Sequence, residues 1–90
     1  EMPNTFSLSQ NYPNPFNPVT KISFSIPANS YTRLTVYDIS GKQVAELVNG
    51  ELEAGSYNID FDASQLASGT YFYRLETGSF AEVKKMVLIK

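Results

Sequence analysis

Cysteine, histidine and tryptophan are all missing from this 90-residue chain. Without cysteine there is no disulfide framework, the common support of a small extracellular domain. Stability must come from a packed core, which suits a cytosolic protein and a secreted bacterial one alike. Without histidine, the usual proton carrier near neutral pH and the commonest zinc ligand are gone. Ser64 and Ser68 have no imidazole partner, so a Ser–His–Asp hydrolase is excluded. No apolar run approaches the roughly 18 residues that mark a membrane-spanning helix. The N-terminal Glu1-Met2-Pro3-Asn4-Thr5 lacks the basic region and apolar core of a signal peptide. Glu1 ahead of Met2 suggests a piece of a longer protein, with residues 1–5 as the end of a linker.

Charge is also sparse and unevenly placed. The net charge is −2. Residues 1–50 balance to zero, residues 51–80 carry −4 and residues 81–90 carry +2. A basic tail on a mildly acidic body fits an anionic partner. No patch is dense enough for nucleic acid. Ninety residues make one domain, 1–90, able to bury roughly 60–65% of its unfolded surface. The twelve Phe and Tyr residues suit the core of a β-sandwich.

Alternation at period two dominates the rest. Ile22, Phe24 and Ile26 share one face. So do Leu34 and Val36, Tyr57, Ile59 and Phe61, and Tyr71, Tyr73 and Leu75. No window sustains helical spacing, and a single turn near Ser64–Ala67 is the best helical candidate. Turn chemistry separates the runs: Pro27-Ala28-Asn29-Ser30, Ser40-Gly41-Lys42, Asn49-Gly50, and glycines at 55, 69 and 78. Seven strands are expected, near 6–11, 19–26, 32–39, 43–48, 56–61, 70–76 and 81–89. This is an all-β, immunoglobulin-like antiparallel sandwich.

Two segments depart from that pattern. Asn11-Tyr12-Pro13-Asn14-Pro15-Phe16-Asn17-Pro18 holds three of the five prolines. Proline fixes its own φ and restricts the residue before it, so the path is stiff before any contact forms. Tyr12 and Phe16 are its apolar anchors, Phe16 above all. One reading is a loop entering the next strand, packed on the sandwich. The other is an exposed docking peptide. At the other end, Met86-Val87-Leu88-Ile89 is apolar without interruption between Lys84-Lys85 and Lys90. In a two-layer sandwich only one face of a strand is covered, so this strand is either a final strand with one sticky side or a recognition strand.

Four segments in order resemble one family. They are Asn11–Phe16, Val36-Tyr37-Asp38-Ile39-Ser40-Gly41-Lys42, Ala67-Ser68-Gly69-Thr70-Tyr71-Phe72-Tyr73-Arg74-Leu75 and Lys84–Lys90. Together they are similar to the type A C-terminal sorting domain of type IX secretion cargo, over about Phe6 to Lys90. The resemblance implies a non-catalytic module of a Bacteroidota protein, fused to an upstream cargo. It implies recognition by the outer-membrane translocon and its sortase-like machinery, transit through the periplasm, and delivery to the cell surface or medium. It places recognition on Lys84, Lys85, Met86, Val87, Leu88, Ile89 and Lys90. Tyr12, Pro13, Asn14, Pro15, Phe16, Gly41, Gly69 and Tyr71 then read as structural motif residues. A monomer without metal or cofactor is expected. The opening and the Gly69–Leu75 block are also similar to the immunoglobulin-like domain of the flagellar hook-cap protein. Phe61-Asp62-Ala63-Ser64 lacks that relative's Trp-Asp-Gly turn, and the chain ends right after Ile89-Lys90, which favours the sorting reading.

Three other chemistries compete. Asp60 and Asp62 lie on one side of a strand and could meet Ca²⁺, but six to eight oxygens are required. Asp62 fits a turn cap better, as Asp38 fits a bond into the Ser40–Gly41 turn. Glu51 and Glu53 read as a solvated rim. Tyr71 and Tyr73 could stack on a sugar, the platform of a carbohydrate-binding or accessory module of an extracellular glycoside hydrolase, or could fill the core.

Overall fold

A computed structural model describes residues 5–90. Seven strands form two antiparallel sheets: β1 (Ser7–Leu8), β2 (Val19–Ile26), β3 (Ser30–Asp38), β4 (Gln43–Leu52), β5 (Gly55–Asp62), β6 (Gly69–Glu76) and β7 (Ala81–Leu88). The first sheet runs β1-β2-β5 and the second β4-β3-β6-β7. This is the expected sandwich. No helix is present among the described residues, and Ser64–Ala67 holds only a turn, in which the Leu66 amide donates to the Ala63 carbonyl at 2.9 Å.

The period-two pattern places the core. Ile22, Phe24 and Ile26 of β2 face Leu34 and Val36 of β3, Tyr71, Tyr73 and Leu75 of β6, and Met86 and Leu88 of β7, all buried. Side chains at alternate positions leave the opposite faces to polar groups. Burying each of these large apolar side chains contributes about 1.5–3 kcal/mol. Tyr71 and Tyr73 are 7% and 0% exposed, which removes the sugar-stacking platform.

Two strand boundaries differ from the sequence pattern. β4 runs through Asn49-Gly50 rather than ending there, because two register shifts against β3, at Leu34/Thr35 and Val36/Tyr37, absorb extra residues as bulges. β1 is only two residues long instead of six. The expected linker, residues 1–5, lies outside the described residues except for Thr5.

The Ser40–Lys42 turn is built as its residues suggest. Asp38 Oδ1 accepts from the amides of Ser40 and Lys42, each at 3.0 Å, and from the Ser40 hydroxyl at 2.7 Å. Gly41 takes φ +89°, a left-handed conformation costly for residues with a Cβ. Asp62 likewise accepts from the Ser64 amide at 2.9 Å, capping the next turn.

Candidate functional site

After Leu8 the chain leaves β2 by degrees and crosses to the other sheet. The Ser9 amide still donates to Ser23, and Tyr12 exchanges two backbone bonds with Lys21. Then Pro13, Asn14 and Pro15 carry it over. At Phe16 it joins β7 as a short parallel bridge to Leu88. The Phe16 amide donates to the Val87 carbonyl and the Ile89 amide to the Phe16 carbonyl, both at 2.9 Å. The Asn14 side chain accepts from the Val87 amide at 3.0 Å, and Gln10 Nε2 donates to the Lys85 carbonyl at 2.7 Å. Residues 9–17 are therefore a strap. It hydrogen-bonds one edge of each sheet, and its prolines supply the stiffness such a crossing needs. The bonds preceding Pro13, Pro15 and Pro18 are cis.

Three groups anchor it. Phe16 is 2% exposed and its ring tilts against Phe61 at 6.3 Å. Asn11, also 2% exposed, donates through Nδ2 to the Pro13 carbonyl at 3.1 Å and to Thr20 Oγ1 at 3.0 Å. Its amide donates at 2.8 Å to the Tyr73 hydroxyl, which in turn donates to the Ser9 carbonyl at 2.7 Å. Burial, followed by the nearby Glu82 charge, pushes the Tyr73 phenol up to about 12 against the partial relief given by the Asn11 amide. Tyr12 is not an anchor: it is 81% exposed, because its backbone pairs with β2 and turns the ring outward. Phe16 alone carries the apolar docking.

Strand parity divides the C-terminal run. Met86 and Leu88 point into the core, opposite Tyr71 and Gly69 of β6. Lys85, Ile89 and Lys90 are exposed and Val87 is half-buried, so these residues form the outward set. Lys84 pairs with Glu82 at 3.3 Å. Lys90 folds back: its amide donates to Ser68 Oγ at 3.0 Å and its ammonium to the Ser64 carbonyl at 2.6 Å. Gly69, φ +154°, starts the strand paired with this run. Gly41 lies apart, at the β3–β4 turn.

Sequence reasoning missed Asn11 and Gln10. Their only signal was polar side chains ahead of a proline-rich segment. It also missed that Tyr73 joins the strap to the core through its hydroxyl.

The remaining candidates are ordinary surface chemistry. Asp60 lies 3.7 Å from Lys21 with both side chains well exposed. No group of three or more potential metal-ligating residues occurs among the described residues. Glu51 and Glu53 are exposed. Arg33 pairs with Glu46 at 3.3 Å and Glu76 at 3.8 Å. What the strap and β7 jointly offer is a stiff strand with basic and apolar side chains facing out, a surface that can bind. A family model described as the secretion system C-terminal sorting domain matches residues 10–90. No curated protein matches the chain.

Proposed function

This chain belongs to the C-terminal sorting domain family of type IX secretion, and on that premise we propose that it carries an upstream cargo across the outer membrane without catalysing a reaction. The family's role is sorting, with export to the cell surface or the medium. The finer reading is ours: transit through the periplasm, recognition by the outer-membrane translocon and its sortase-like machinery, and a monomeric domain spanning residues 1–90.

Recognition falls on the outward half of the last strand. Lys85, Val87, Ile89 and Lys90 are reachable from solvent beside the strap, whereas Met86 and Leu88 hold the core. That division is the observation that supports the reading. Met86 and Leu88 act by holding the strand in place, and Lys84 by its pair with Glu82.

The test must separate export from folding. Residues 1–90 are fused to a periplasmic reporter in a type IX-competent host. Lys85→Glu with Ile89→Ser leaves the core intact and should keep the melting temperature while abolishing surface delivery. Undiminished export of that variant overturns this placement of the signal.

A further inference from the structure

The two sides of the sandwich are finished differently. On one side the strap hydrogen-bonds β2 and β7 and closes the gap between sheets. On the other, β4 and β5 are both edge strands, and nothing among the described residues bridges them beyond their own short connection. The core is open there. Ten apolar residues pack against the core while remaining partly in solvent; five belong to β4 and two to β5. Val44, Leu47, Val48 and Leu52 on β4 thus face a seam shared with Tyr57 and Ile59 on β5.

The β5 edge is regular. Ser23 and Lys21 of β2 direct their backbone groups to Ser9 and Tyr12. In an antiparallel ladder such groups alternate sides, so Ile22 and Phe24 bond to β5, through Ile59 and Tyr57 in the observed register. The amides and carbonyls of Ser56, Asn58 and Asp60 then point away from the sheet. No backbone partner meets them among the described residues. The usual protections of an edge are a proline, charged side chains, a bulge or a cover. β4 has bulges and β7 has the strap, whereas β5 has only the charges of Asp60 and Asp62, which repel an anionic strand and attract a cationic one.

Charge selects the partner. Between Lys42 and Arg74 there is no lysine or arginine, and there are five carboxylates: Glu46, Glu51, Glu53, Asp60 and Asp62. Arg33 takes up Glu46, whereas the exposed 3.7 Å contact of Lys21 leaves Asp60 within reach of a second cation. We propose that the β4–β5 side is a docking surface for an extended protein segment in which apolar residues alternate with lysine or arginine. The segment adds to the β5 edge by main-chain hydrogen bonds. Its apolar side chains enter the seam and its cations face Glu51 and Asp60. This surface lies opposite the β7 side and does not depend on the export reading.

The test uses the full chain and an alternating valine–lysine peptide as long as β5, with a valine–glutamate peptide as control. Amide hydrogen exchange is followed residue by residue. With the first peptide at about ten times its Kd, exchange at Ser56, Asn58 and Asp60 should slow about tenfold, and the control should leave it unchanged. Glu51→Gln with Asp60→Asn should abolish the protection without lowering the melting temperature, since the Lys21–Asp60 pair it removes is exposed. Asn58→Pro removes an edge donor while sparing the bonds to β2, and should do the same. Equal protection by both peptides, protection confined to other strands, or none overturns the proposal. So does protection that appears without peptide and grows with protein concentration, which would identify a second copy as the occupant.

Discussion

Phe16 is the residue on which the strap depends. It is 2% exposed and wedged against Phe61, at the point where the chain meets β7. Truncating a buried Phe to Ala removes transfer free energy and leaves a cavity, at about 3–5 kcal/mol. Phe16→Ala should therefore lower the unfolding free energy by an amount of that order, read as a lowered denaturant midpoint, and an unchanged midpoint would instead mark the segment as a dispensable docking peptide. The identity of this anchor was legible in the sequence, as was the role of Asp38 in its turn. The exposure of Tyr12 was not. Which of two aromatics on a proline-stiffened path faces inward depends on the partner strand, and Tyr12 pairs with Lys21 across a separation no local pattern reports. Tyr73 adds a pH dependence. Its phenol is held above its ordinary value, so the folded state keeps the proton longer than the unfolded chain. That stabilisation is complete below pH 10 and is lost as pH rises from 10 towards 12. Urea midpoints should fall through that window. In Tyr73→Phe, already less stable at neutral pH, the fall should be shallower.

The β3–β4 hairpin titrates in the opposite direction. The Ser40 hydroxyl, then the Lys42 amide, hold the Asp38 carboxyl below its ordinary value of 3.8. A depressed carboxyl stabilises the fold above its unfolded pKa, and that help disappears as pH falls below about 4 through the folded value. Asp38→Ala should lower the melting temperature at pH 7 and narrow its difference from the parent at pH 2. An equal gap at both values would show that the turn is held by Gly41 and the ladder alone. At this scale the sequence was most informative where alternation was clean. β2 was read with its observed bounds, and β6 and β7 within one residue of theirs. It was least informative where a strand changes partners. β4 continues through Asn49-Gly50 because bulges accommodate the irregularity, and β1 stops after two residues because the chain leaves one sheet for the other. Parity likewise separated the C-terminal run into core and surface residues. The unbroken apolar stretch could not reveal that split, since every position in it looked alike.

The molecule as a whole is held together by contacts between residues far apart in sequence. Phe16 meets Leu88, and Tyr73 meets Ser9 and Asn11. Such a topology must close long loops before its contacts reward it, and sandwiches of this kind fold on the millisecond-to-second scale. Stopped-flow refolding of the chain should show a relaxation in that range, and a microsecond phase carrying the full amplitude would contradict it.

The parallel bridge also decides how the protein answers a pulling force. A passenger attached upstream would draw the strap towards its beginning, while anything gripping Lys90 would draw β7 towards its end. In a parallel pair those two pulls run in opposite senses along a common axis. The bonds Phe16 makes to Val87 and Ile89 lie across that axis, so they are sheared together instead of being unzipped one after another. Pulled along that axis, the bridge should therefore yield as a unit and bear more load than an antiparallel pair opened from one end.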